Sequence, residues 1–277
     1  MNKPQRPILR WHGGKWRLAP WLLQHFPAHD VYVEPFGGAA SVLLRKPRVK
    51  TEVYNDLDSD LQNLFTLLRD AESAAELARR CELTPFSREE FNLSYQPAAC
   101  PIEQARRFIV RSFFGFGSKA CVTQRRNGFR CLRYGETSPA VDWARYPAAL
   151  RAVAERMRGV VIESAPALDV IRRFDRPTTL FYIDPPYVHS TRNVRVGSYR
   201  HEMTDADHAE LASALRRING MAVVSGYDCG LYRELYADWT LKAVAHHADS
   251  AAERTECIWI SPAALRNSSH NLLEYGT

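Results

Sequence analysis

The chain has 277 residues, 45% of them hydrophobic, which suits one catalytic domain with a substantial insertion better than a bare binding module. It contains no long apolar run, and its first ten residues carry charge and two prolines in place of an apolar signal core. Export and membrane insertion are therefore not expected, and the cytoplasm is the default location. The formal charge of +6 is unevenly spread: Pro101 to Arg158 holds twelve Lys/Arg against four acids, net +8, so the remainder is net −2. That segment points to an anionic partner. The six cysteines form no Cys-x-x-Cys pair and precede no His pair at zinc-finger spacing, so reduced, packed thiols are expected and no metal.

Near the start, Trp11-His12-Gly13-Gly14-Lys15 opens a helix-like segment. A P-loop is excluded at two positions, because Leu9 stands where the first glycine belongs and Trp16 where Ser/Thr would bind Mg²⁺. The run Val31–Glu34 reads as a strand that leads into Glu34-Pro35-Phe36-Gly37-Gly38-Ala39-Ala40-Ser41. Glycines here would let a ligand approach the backbone in front of a helix N-terminus, but Gly-x-Gly-x-x-Gly is absent, which disfavours a dinucleotide. The next strand, Glu52–Asn55, ends at Asn55-Asp56, an acid placed to hold ribose hydroxyls. From Asp58 to Leu68 a helical period puts Leu61, Leu64, Phe65 and Leu68 on one face.

Between about Leu67 and Leu150 the alternation of strands and helices stops. Helical patterns at Ala71–Arg80, Ser87–Tyr95 and Ile102–Phe114 precede a Gly- and Arg-rich stretch, Gly115–Gly135. This is read as an inserted lobe over residues 67–150, with residues 1–66 and 151–277 forming the catalytic domain. Strand patterns resume at Val160–Glu163, Leu180–Ile183 and Ala222–Ser225, with a helix over Thr204–Ile218, N-capped by Thr204 with Asp207 three residues on. Thr240–Ala245 and Thr255–Ile260 are expected as a late antiparallel pair. The order predicts an α/β, doubly wound sheet.

The Leu180–Ile183 strand ends in Asp184-Pro185-Pro186-Tyr187, where ligands of an open α/β sheet sit. The tetrapeptide suits an amine on a flat ring. Asp184 can accept one hydrogen and the Pro185 carbonyl the other, while Pro185-Pro186 stiffens the backbone and removes competing N–H donors. Tyr187 offers a face for a flipped base. Two acceptors on the N–H bonds favour a lone pair aimed at an incoming methyl group. An ordinary strand-end turn with a capping Asp is the competing reading of this motif alone.

The ordered set Trp11…Gly13-Gly14-Lys15, Glu34-Pro35-Phe36-Gly37-Gly38, Tyr54-Asn55-Asp56, Glu163-Ser164 and Asp184-Pro185-Pro186-Tyr187 resembles the Dam-like DNA adenine-N6 methyltransferases, which include many phage and restriction–modification enzymes. The likeness continues through Thr191-Arg192, Tyr199-x-His201-x-Met203, Ser225-Gly226-Tyr227-Asp228 and Arg254-Thr255-Glu256.

The resemblance implies a Rossmann-like methyltransferase sheet with a mainly helical DNA-recognition lobe, and methyl transfer from S-adenosylmethionine to the N6 amine of a flipped adenine in double-stranded DNA. It implies that Trp11, Gly13, Gly14 and Lys15 contact the cofactor, with Lys15 near its carboxylate. Glu34, Pro35, Phe36, Gly37 and Gly38 would line the methionine side, Asn55-Asp56 the ribose, and Glu163-Ser164 a cofactor-side strand end. Arg125, Arg126, Phe129, Arg130 and Arg133 of the insertion would meet DNA, together with Arg192, Tyr199 and His201 from the loop after the catalytic strand. A monomer is expected, with a cognate restriction endonuclease as a partner to look for. The recognition hairpin of the GATC-methylating members is not found in Gly115–Gly135. Rival readings are methylation of cytosine N4 or of RNA, and an inactive DNA-binding regulator on the same scaffold.

Overall fold

The apolar, β-branched runs form a sheet buried on both faces. The computed structural model describes residues 3–117, 126–131, 138–191, 200–247 and 253–274. Its strands are β1 (Val31–Glu34), β2 (Thr51–Asn55), β3 (Val160–Glu163), β4 (Thr179–Ile183), β5 (Met221–Gly226), β6 (Thr240–His247) and β7 (Glu253–Ile260). They are ordered β3-β2-β1-β4-β5-β7-β6, with β1 to β5 parallel and β7 antiparallel to both β5 and β6.

Helices α1 (Ala19–Leu23), α2 (Ser41–Arg45), α3 (Ser59–Arg69), α4 (Ala71–Glu82), α5 (Arg88–Leu93) and α6 (Pro101–Phe114) precede β3 together with α7 (Pro139–Ala144) and α8 (Tyr146–Met157). Helix α9 (Ala167–Phe174) lies between β3 and β4, α10 (Asp205–Leu215) and α11 (Gly230–Leu235) flank β5, and α12 (Pro262–Glu274) follows β7.

Alternation along each strand divides the core in two. Tyr32, Tyr54, Leu180, Met221, Val223, Ile258 and Ile260 face one layer, while Val33, Val53, Phe181, Ala222, Val224, Cys257 and Trp259 face the other. The second layer is closed by α9, α10 and α11. Helix α10 starts at Thr204 in a reciprocal capping box with Asp207, and buries Leu211 and Leu215, as its sequence pattern requires. Helix α3 is capped by Asp58, whose side chain accepts from the Asp60 amide, and buries Leu61, Leu64, Phe65 and Leu68.

The region between α3 and β3 contributes to the first layer. Leu77, Phe108, Ile109, Phe113, Leu150 and Val153 from α4, α6 and α8 join the same cluster as Tyr54, Leu64 and Val160. Arg156 of α8 adds a two-pronged ion pair to Glu52 of β2, at 2.7 and 2.9 Å, deep under the sheet edge. Helix α8 begins at Tyr146 with a proline in its first turn; the Tyr146 hydroxyl donates to the Ile8 carbonyl and its ring stacks on Trp143.

Candidate active site

Adjacent strands β1 and β4 lead away in opposite directions across the sheet, which creates a crevice beyond their carboxyl ends. Both chemical motifs exit there. β1 releases Glu34-Pro35-Phe36-Gly37-Gly38, and β4 releases Asp184-Pro185-Pro186-Tyr187. A cavity in the crevice is lined by Trp11, Gly13, Gly14 and Lys15, by the Glu34–Gly38 loop, by Asn55 and Asp56, by Asp184 and Pro186, and by Arg200 through Met203.

The glycine loop is tight for steric reasons. A Cβ on Gly37 would overlap the Tyr54 ring, and one on Gly38 would stand 2.8 Å from Trp11 Nε1 at a backbone φ of +49°. The Tyr54 hydroxyl donates to the Gly38 carbonyl at 2.7 Å, and the Gly37 amide donates to the Asn55 carbonyl at 2.8 Å. Asn55 is occupied as a tether. Its side-chain amide donates to the Pro35 and Ala165 carbonyls, and its Oδ1 accepts from the Ala165 amide. It thereby locks the ends of β1, β2 and β3 together.

Glu34 and Asp56 are two of the carboxylates that line the cavity. Glu34 Oε1 accepts from the Tyr32 hydroxyl at 2.7 Å and from the Leu43 amide at 2.8 Å. Burial nevertheless pushes its pKa up from 4.5 to about 8. Asp56 accepts from the Gly38 amide at 2.9 Å and the Asp58 amide at 2.8 Å, and burial raises it from 3.8 to about 6. Trp11, Phe36 and Met203 supply apolar wall. Arg200 bridges Asp58 and Asp60 at 3.1 and 2.8 Å, which pins its segment across the cavity mouth.

At the other end, Lys15 Nζ lies 3.0 Å from Asp184 Oδ1 and 3.7 Å from Glu256 Oε1, and 4.8 Å above the Tyr187 ring. It also donates to the Gly13 carbonyl at 2.9 Å. Burial raises the Asp184 pKa, and the Lys15 ammonium opposes that rise. Lys15 also lines the cavity, so its ion pair with Asp184 stands beside the expected contact with a cofactor carboxylate. The Tyr187 hydroxyl donates to Glu256, and its ring meets Tyr227 edge-on at 4.8 Å. Pro185 is buried, and Pro186 lines the cavity.

Other expected residues lie elsewhere. Glu163 pairs with Arg173 at 2.8 Å and Ser164 is exposed; neither lines the cavity, whereas Ala167 of α9 does. His201 stands in the cavity wall. Arg130 is 7% exposed, with its guanidinium 3.6 Å from Asp142. Phe129 packs among Phe86, Phe91 and Phe114 with Arg88 over its ring, which removes it as a free wedge. Arg126 is exposed, hydrogen-bonded to Asn92 and 5.6 Å from the Tyr95 ring. Arg125, Arg133, Arg192 and Tyr199 lie outside the described residues.

Several of the insertion's arginines are engaged by acids within the fold. Arg106 binds Glu90 and Glu103, Arg107 binds Glu103, and Arg111 binds Asp60. Sequence reasoning gave no role to Ser225 and Glu256, although both stand in matching motifs. The register that sets Ser225 opposite Ile258, two residues from Glu256, is what brings them to Tyr187.

Comparison with known proteins agrees with this architecture. The family described as D12 class N6 adenine-specific DNA methyltransferase matches residues 11–250. The DNA adenine methylases of Salmonella typhi and Escherichia coli K12 are each 26% identical over 253 residues, covering 84% of this chain and 85% of theirs. The DNA adenine methylase of Vibrio cholerae is 26% identical over 252 residues, 87% of this chain and 88% of its own. The chain belongs to the D12 class of N6 adenine-specific DNA methyltransferases, and its reaction is methyl transfer to the N6 amine of adenine in DNA.

Proposed function

We propose that the methyl donor is S-adenosylmethionine, held in the cavity between the Glu34–Gly38 loop and Asp56, and that the acceptor is an adenine flipped out of double-stranded DNA onto Tyr187. The observation that carries this reading is the continuity of the cavity from Asp56 and Glu34 at one end to Asp184 at the other. The lining fits the donor chemically. A glycine cradle too tight for any Cβ lets the ligand lie on backbone, two carboxylates suit ribose hydroxyls and a cation, and Trp11, Phe36 and Met203 suit its apolar parts. When bound, S-adenosylmethionine supplies an electrophilic methyl group on a sulfonium.

The chain's own residues account for the rest. Asp56 accepts from ribose hydroxyls, and Glu34 faces the ammonium end. Asp184 and the Pro185 carbonyl accept the two N6 hydrogens and aim the lone pair at the methyl carbon. Alignment of nucleophile and methyl is the main source of rate. Asp184 need not be a strong base, because a methylated adeninium amine is itself very acidic. Lys15 opposes the rise that burial imposes on the Asp184 pKa.

The division into residues 1–66 with 151–277 and residues 67–150 is proposed as a functional one, since both parts share one apolar core. Arg125, Arg126 and Arg133 of the insertion, with Arg192, Tyr199 and His201, form the proposed DNA-facing set. A cytoplasmic monomer completes the reading, with a cognate restriction endonuclease as a partner to look for.

The test is digestion of undermethylated plasmid DNA to nucleosides after incubation with the protein and methyl-labelled S-adenosylmethionine. N6-methyl-2′-deoxyadenosine as the sole labelled product supports the reading. Label in N4-methylcytosine, or transfer only to RNA or single strands, overturns it.

A further inference from the structure

Glu256 is 4% exposed and sits on the face of β7 that elsewhere carries Ile258 and Ile260 into the core. The neighbouring row on β5, Met221 and Val223, likewise turns polar only at Ser225. At this depth an apolar side chain would fill the space, and a buried carboxylate costs stability unless fully partnered. All its partners belong to the site. Glu256 Oε1 accepts from the Tyr187 hydroxyl and from Ser225 Oγ at 3.0 Å, and lies 3.7 Å from Lys15 Nζ. Lys15 is thus shared between two carboxylates, closer to Asp184 at 3.0 Å.

We propose that Glu256 is a positioning residue for methyl transfer: it fixes the Tyr187 ring through the phenol hydroxyl, and it draws part of the Lys15 charge away from Asp184. The inference rests on the reading of Tyr187 as the platform for the flipped base. Fixing the hydroxyl sets the plane on which the base lies, and so the angle at which N6 meets the methyl carbon. Sharing Lys15 leaves Asp184 with an acceptor lone pair for the amine. Glu256 itself touches neither substrate, so its loss should lower kcat and spare KM.

The test is a double-mutant cycle on the full-length protein, with Glu256→Gln and Tyr187→Phe, read by single-turnover methylation of undermethylated duplex DNA. Each single variant is expected to slow transfer about 10-fold, with KM for DNA and Kd for S-adenosylmethionine within about 2-fold of wild type. The double variant should stay within about 3-fold of Glu256→Gln alone, because both changes break one contact. A double variant about 100-fold slower than wild type would show independent effects and overturn the inference, as would a Glu256→Gln protein of unchanged rate. Tyr187→Ala separates the two ideas. If it is slow while Tyr187→Phe is normal, the hydroxyl contact is irrelevant and the inference falls while the base platform stands. If Tyr187→Ala is itself normal, the platform reading falls as well.

Discussion

Lys15 and Asp184 stand 169 residues apart in the chain and 3.0 Å apart in space. The pair joins the segment before β1 to the end of β4 and places a cation against the carboxylate proposed to face the reacting amine. An ammonium 5% exposed beside a carboxylate 19% exposed interacts across little water, so each stabilises the ionised form of the other. This geometry makes Lys15 a partner of the catalytic carboxylate.

Lys15→Met should therefore reduce methyl transfer by about 100-fold while leaving S-adenosylmethionine affinity within a few-fold of wild type. Burial already raises the Asp184 pKa and Lys15 holds it down, so removing the cation lets it rise further. The acid limb of the variant's rate profile should consequently move to higher pH, and part of the lost rate should return in alkali. Isothermal titration beside a pH–rate series checks both parts. A large loss of cofactor affinity with an unmoved profile would show that Lys15 serves the cofactor carboxylate rather than Asp184.

Glu34 predicts a pH effect on stability. Its folded pKa of about 8 exceeds its ordinary 4.5, chiefly through burial. The folded state thus binds a proton that the unfolded state releases. The stabilisation is complete below the unfolded value and is lost as pH rises through about 8, a contribution on the order of 5 kcal/mol at most. Glu34→Gln, which keeps an acceptor for Tyr32 and Leu43, should flatten the fall in stability between about pH 4.5 and 8. Denaturant titrations of both proteins across that range measure it, and parallel curves would contradict it.

Gly37→Ala should destabilise the fold by about 1–3 kcal/mol and weaken cofactor binding, since the new methyl group overlaps the Tyr54 ring that anchors the loop. Combining it with Tyr54→Leu should recover part of the stability, because the clash partner is then smaller. Thermal melts with and without S-adenosylmethionine test this. A Gly37→Ala melt equal to wild type would mean the loop tolerates a Cβ.

Arg125 and Arg126 are the expected phosphate contacts of the insertion, and Arg126 is exposed. Replacing both with Ala should reduce the slope of log K against log salt by about 1.8 for duplex DNA, with cofactor affinity unchanged. Fluorescence anisotropy at graded salt reads the slope. An unchanged slope would place the phosphate contacts elsewhere.

The sheet was legible because each central strand is a short apolar run ending in a chemical motif, as at Val33-Glu34 and Ile183-Asp184. The Thr204 cap and the α3 face were legible for the same local reason. The insertion was harder. Its arginines signal charge in the sequence, and Arg106 has a local acid in Glu103, but Arg111 turns inward to Asp60, far away in the chain, and nothing local distinguishes it from Arg126. Asn55 and Asp56 were both read as ligand-facing, yet Asn55 spends its amide on Pro35 and Ala165. Glu256 went without a role because only the antiparallel register of β7 on β5 carries it to Tyr187.

Asp184 carries the central claim, and Asp184→Ala tests it most directly. The variant should bind S-adenosylmethionine and undermethylated duplex DNA within about 3-fold of wild type, while single-turnover transfer of labelled methyl to adenine N6 falls by about 1,000-fold or more. An Asp184→Ala protein that still methylates adenine within about 3-fold of the wild-type rate would contradict the account, because the amine would then be activated elsewhere.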